Sequence, residues 1–240
     1  MPYTSFASFA LAFFLALTPA TRADSAQSGT FIVSENGHPV GTAGFKFAPD
    51  AAGLESTSSV NVQMEGLNYA LSKTEQLDTA RHLKHVLLSG TVNGSAANVI
   101  AKPDGDKLLL NISANGHSST TRLEAHPSAV FLPDFDPGAL ETLLALAAAQ
   151  NGRDLWAIIP KQAGSVQPVQ LATYADEQGT LNGKTIPVHH VVATIAGAQT
   201  TLFSGADNQL LQAELPQPGF ALVCKGFVLV PPKKPIAPAE

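Results

Sequence analysis

The residues of this chain whose types lend themselves to chemistry are seven histidines, the aspartates Asp134 and Asp136, and the single cysteine Cys224. His82 and His85 stand three apart on an expected strand, which sends them to opposite faces, and the adjacent His189 and His190 diverge for the same reason. A zinc-type site would need histidines of separate strands to converge, so these read as surface or hydrogen-bonded histidines, and no metal or cofactor is expected. Asp134 and Asp136 flank Phe135 and have the look of paired acid/base carboxylates. Asp136, however, stands where a helix N-cap is needed. Asp134 is then left to bind helix-terminal N–H groups or solvent. Cys224 has no partner for an internal disulfide and reads as a small buried apolar side chain in the last strand. No catalytic residue is assigned.

The motifs that are missing narrow the field. There is no G-x-S-x-G, S-x-x-K, H-E-x-x-H, C-x-x-C, Walker loop or dinucleotide glycine fingerprint. The common hydrolase, protease and nucleotide-binding classes therefore have no support. The chain has 240 residues, 45% hydrophobic and 14% charged, with a net charge of -5. Without any Lys/Arg-rich run, that balance argues against nucleic acid or an anionic membrane surface as the main partner.

Residues 1–26 read as a secretory leader. The apolar run Phe9 to Leu17 precedes Thr18-Pro19-Ala20, Thr21-Arg22-Ala23 and Asp24-Ser25-Ala26, each ending in a small residue suited to cleavage. The run is too short for a good membrane span, so a periplasmic or secreted protein is expected and an integral membrane protein is not. Residues 27–230 are read as one domain, and the proline-rich 231–240 as a disordered tail.

From Gly29 onward, short alternating runs are broken by Asn36-Gly37, Asn93-Gly94, Asp104-Gly105, Asn115-Gly116 and Asn182-Gly183, pairs that supply the positive φ of two-residue hairpins. About twelve antiparallel strands are expected, with Leu155 to Pro160 buried on both sides and Phe220 to Val230 as one last strand. The segment Asp134 to Gly152 predicts the one long helix, over 137–151, with Pro137 at its first position and Asn151-Gly152 as its left-handed stop. Leu140, Leu143, Leu144, Ala147 and Ala148 share a face, while Leu146 and Ala149 make the other side apolar too, so the helix must be enclosed. The fold class is mainly β: a strongly curved antiparallel sheet, a β-roll or half-barrel, wrapped around a long, largely buried helix, with Trp156 expected to anchor it.

The order of parts resembles an exported bacterial family of unknown function that forms a spiral β-roll. The resemblance rests on Gly29, Phe31, Val33, Asn36, Gly37, Val40 and Gly41 and on D-F-D-P before the helix with W-A-I-I-P after it. The L-N-G-K turn, G-A-D-N-Q-L-L, E-L-P and K-G-F complete it. Where such relatives would carry an aromatic residue and an arginine late in the chain, Phe203 and Cys224-Lys225 stand here. In architecture the chain is also similar to periplasmic lipoprotein and lipid carriers.

These readings imply a non-enzymatic protein that binds an apolar ligand, a lipid or acyl chain, between sheet and helix. Phe31, Phe45, Leu140, Leu144 and Trp156 are its candidate lining, and the same residues would equally serve as dry core. The alternatives are an envelope hydrolase in which His189 or His190 meets a carboxylate or hydroxyl, and a scaffold that pairs through the edge strand Ser118 to Thr121 or the terminal strand.

Overall fold

The computed structural model describes residues 27–51, 53–161 and 163–231; the leader and nearly all of the tail read from the sequence lie outside them. Eight strands come first, each antiparallel to the next: β1 (Gln27–Glu35), β2 (His38–Asp50), β3 (Gly53–Met64), β4 (Leu67–Leu77), β5 (Leu83–Val92), β6 (Ser95–Asp104), β7 (Lys107–Ala114) and β8 (His117–Glu124). After β9 (Ala129–Phe131) comes the helix α1 (Pro137–Ala149). It is followed by β10 (Trp156–Ile159), β11 (Ser165–Thr173), β12 (Glu177–Leu181), β13 (Lys184–Ile195), β14 (Ala198–Ser204), β15 (Leu210–Glu214), β16 (Phe220–Cys224) and β17 (Phe227–Val230). Together they make one large 17-stranded sheet that is not closed. β1 lies between β2 and β16, which joins the two ends of the described chain in mid-sheet. β9 and β10 run parallel, an exception to the antiparallel expectation.

Four of the five expected turn pairs act as their chemistry dictates; Asp104 instead ends β6, and the β6–β7 turn is made by Gly105, at φ +66°, and Asp106. Asn36-Gly37, Asn93-Gly94, Asn115-Gly116 and Asn182-Gly183 all have both residues at positive φ, as type I′ turns require. Ala196-Gly197 does the same without a side-chain signal that the sequence reading used. The expected single strand Phe220 to Val230 is broken, because Gly226 at φ +86° turns the chain and leaves β16 and β17 separate.

The expected long helix is a short one of 13 residues. Asp136 is its N-cap, its Oδ1 accepting from the N–H of Gly138 (2.9 Å) and Ala139 (3.2 Å), and Pro137 takes the first position. At the other end Asn151 and Gly152 are left-handed and the Gly152 N–H returns to the Ala147 carbonyl. The helix is buried from Pro137 through Leu144 and again at Leu146, whereas Ala148 and Ala149 are exposed. It packs on β2, β3, β9 and β15. Gly138 makes the closest approach, since a Cβ there would stand 3.0 Å from the Cβ of Phe45.

Inward-facing residues of most strands join α1 in one core, in which the Phe45 ring contacts Phe31 at 6.1 Å and Phe47 at 5.2 Å, together with Leu140, Leu143 and Leu144. A second cluster of Val188, Phe203, Leu211 and Phe227 lies on the other face of the β13–β15 region. That explains why adjacent pairs such as Leu202-Phe203 and Leu210-Leu211 are both buried. Glu141, the one charge inside the helix, is buried. Its Oε2 accepts from the Leu210 N–H of β15 at 2.7 Å and its Oε1 from the Gln27 side chain of β1, so one carboxyl ties three elements together.

Candidate ligand cleft and the buried charge cluster beneath it

In β4 the inward positions run Tyr69, Leu71, Lys73, Glu75 and Leu77, so strand alternation drives two charged side chains into the interior. Opposite them in β3, Ser58 faces Lys73 and Ser56 faces Glu75. The small serines leave room for the long side chains. Lys73 Nζ lies 2.8 Å from Asp136 Oδ2 and 3.1 Å from Glu75 Oε2, with all three side chains out of solvent. Burial alone would lower the pKa of the Lys73 ammonium, but Asp136 and then Glu75 outweigh it and the net shift is upward. Burial raises the Glu75 carboxyl above the usual range, and Lys73 offsets this only in part. The cluster is therefore a Lys73–Asp136 ion pair with Glu75 biased toward its neutral form, which avoids two buried anions around one cation. Ser56 Oγ and Glu75 Oε1 have no hydrogen-bond partner among the described residues.

Above this cluster, at the N-terminal end of α1, four chain segments converge on an apolar cleft of about 270 Å³. They are the approach to the helix (Leu132 to Asp136), the end of β10 (Ile159, Lys161), the β13–β14 hairpin (Ile195, Ala198) and the turn after β15 (Leu215 to Gln217). Phe135 holds this corner in a backbone conformation of φ +57° that is rare for an aromatic residue, its ring packed on Tyr69 at 5.5 Å and Phe220 at 5.2 Å. At the mouth, Lys161 Nζ is 2.7 Å from Asp134 Oδ2, and the Gln217 amide donates to Asp134 Oδ1 at 2.9 Å. The Tyr69 hydroxyl donates to the Asp134 carbonyl at 3.2 Å, and its pKa is raised by burial and then by the charges of Asp134 and Asp136.

Of the lining residues read from the sequence, Leu140 borders this cleft. Phe31, Phe45 and Leu144 lie in the main core, and Trp156 sits half-buried at its fringe with its ring stacked on His126 at 3.7 Å. The remaining cleft residues come from the ends of β10, β13 and β14 and from the loops beside them, which no single periodic run brings together. Lys73 and Glu75, by contrast, were detectable: they continue the inward parity of Tyr69 and Leu71.

The histidines find carboxylates separately. His189 Nδ1 is 2.9 Å from Asp176 Oδ1 and His190 Nδ1 is 2.9 Å from Glu177 Oε1, while the His190 ring stacks on Tyr174. Neither pair borders the cleft. Among the described residues no three His, Cys, Asp or Glu side chains gather as a metal site would require, and no helix is long and apolar enough to cross a membrane. No family model matches the chain, and no curated protein or solved structure is significantly similar to it.

Proposed function

We propose that this chain is an exported, non-enzymatic protein that holds an apolar ligand, a lipid or acyl chain, in the cell envelope. The observation that carries this reading is the cleft itself: ten of its fifteen lining residues are apolar, and of the polar ones Asp134, Lys161 and Gln217 bond one another, Asp136 caps the helix and Thr200 is buried in the wall, the few placed polar groups typical of small-molecule sites. The leader-like N-terminus supports an envelope setting. We read the sheet as a roll bent around α1, because β9 packs beside β5, and β8 beside β11, with no ladder between them. The test is native mass spectrometry and solvent extraction of protein recovered from its own envelope without detergent. A co-purifying lipid or acyl species is expected. Protein that arrives empty and takes up no added amphiphile rejects the proposal.

A second reading is favoured by one feature. Among the described residues β8 is ladder-paired on one side only, to β7; it is exposed along most of its length and lacks the proline or lysine that commonly guards an edge strand. Light scattering decides between them: a species larger than the monomer that Thr120→Pro disperses would favour pairing through this edge.

A further inference from the structure

The groups at the mouth of the cleft specify the polar end of its occupant. Both carboxylates bordering the cleft are already engaged. Asp134 receives Lys161 on one oxygen and Gln217 on the other. Asp136 receives two helix N–H groups on Oδ1 and Lys73 on Oδ2. Donors are in surplus. The Lys161 ammonium has three N–H bonds, one of them directed at Asp134, and its side chain is 56% exposed; the Gln217 amide has a second N–H, and Thr200 adds a hydroxyl to the lining. A head group that offers only acceptors matches this inventory. The size of the cleft limits the tail: at about 30 Å³ per water-sized unit, 270 Å³ holds on the order of nine heavy atoms.

Resting on the apolar-ligand reading above, we infer that the cleft takes a single-chain amphiphile of medium length, tail inward, whose carboxylate head is held by Lys161 with Gln217 beside it. In this arrangement Asp134 is the resident competitor for Lys161, and a ligand carboxylate must share that ammonium with it. Removing the competitor therefore strengthens binding, whereas removing Lys161 weakens it.

Isothermal titration of the purified protein with decanoate, decanol and decylamine separates the two layers of the claim. Decanoate binds one per chain. Lys161→Ala weakens it about tenfold or more and weakens decanol much less, Asp134→Asn tightens it, and decylamine binds less well than decanoate. Ala198→Trp, at an exposed position on the cleft wall, abolishes binding of decanoate and decanol while the circular dichroism spectrum stays that of the parent. If Lys161→Ala leaves decanoate affinity intact, or decylamine matches decanoate, the carboxylate assignment falls while the cleft stands. If neither decanoate nor decanol binds, or Ala198→Trp binds both normally, the apolar-ligand reading itself falls.

Discussion

The Lys73 ammonium of β4 lies 2.8 Å from Oδ2 of Asp136, the residue whose other oxygen caps α1, so a single aspartate joins the sheet to the start of the helix. Farther along the helix, Glu141 adds hydrogen bonds to β1 and β15, and the remaining contacts are non-directional apolar packing. At Asp136 the angle and depth of the helix are fixed by a charge-assisted bond that tolerates little displacement.

Removing one member of this cluster strands the others. Lys73→Met leaves Asp136 and Glu75 without their cation in a dry interior and should cost about 3–5 kcal/mol in urea denaturation. The triple variant Lys73→Met, Glu75→Leu, Asp136→Asn removes the charges together, keeps a competent cap and should be the more stable protein of the two.

Glu141 makes stability depend on pH. Burial raises its carboxyl from 4.5 to about 7, despite hydrogen bonds from Leu210 and Gln27 that favour the anion. Because the folded pKa lies above the unfolded one, the contribution of this group is fully present below pH ~4.5 and is lost as pH rises to about 7. Glu141→Gln should flatten the stability profile across that window by about 3 kcal/mol between its ends. Parallel profiles of variant and parent would contradict this.

Cys224 should be a sluggish thiol. Burial, and then the charge of Glu141, raise its pKa. Iodoacetamide at pH 8 should alkylate the folded protein at least about tenfold more slowly than the protein in urea, and Glu141→Gln should speed the folded reaction.

Gly164 is required by both conformation and space. It sits at φ +84°, and a Cβ there would run into the side chain of Leu110, which is fully buried, with Leu123 close by at 3.7 Å. Gly164→Ala should destabilise by about 1–3 kcal/mol in thermal or urea unfolding. An unchanged midpoint would show that the loop can open away from β7.

The strand-rich half of the fold was legible because it is written in local signals. Asn-Gly pairs force particular turns, and alternation through Val60, Val62 and Met64 or Leu108 and Leu110 assigns faces. The helix start was readable from Asp136 and Pro137 for the same reason. Its enclosure was readable only for the stretch with apolar residues all round, and Ala148 and Ala149 proved exposed, since alanine is as compatible with water as with a core. β9 and β12 escaped notice: β9 is three residues long, and the residues Glu177–Leu181 show no alternation. The cleft was not readable from the sequence beyond Leu140, because Lys161, Ala198 and Gln217 meet only through long-range pairing. The charge cluster was not read from the sequence: extending the parity of Tyr69 and Leu71 would have placed Lys73 and Glu75 inside, but nothing local pairs them with Asp136.

Phe31 and Cys224, near opposite ends of the described chain, are direct partners in the β1–β16 ladder. A polypeptide delivered amino end first therefore completes a long run of neighbouring hairpins while one rim of β1 waits, unpaired, for the final segments to arrive. During that interval the growing ribbon offers a sticky flank to any other extended strand. The hazard in making this molecule lies in the delay before its last residues emerge, and protection of the nascent chain is needed most at that moment.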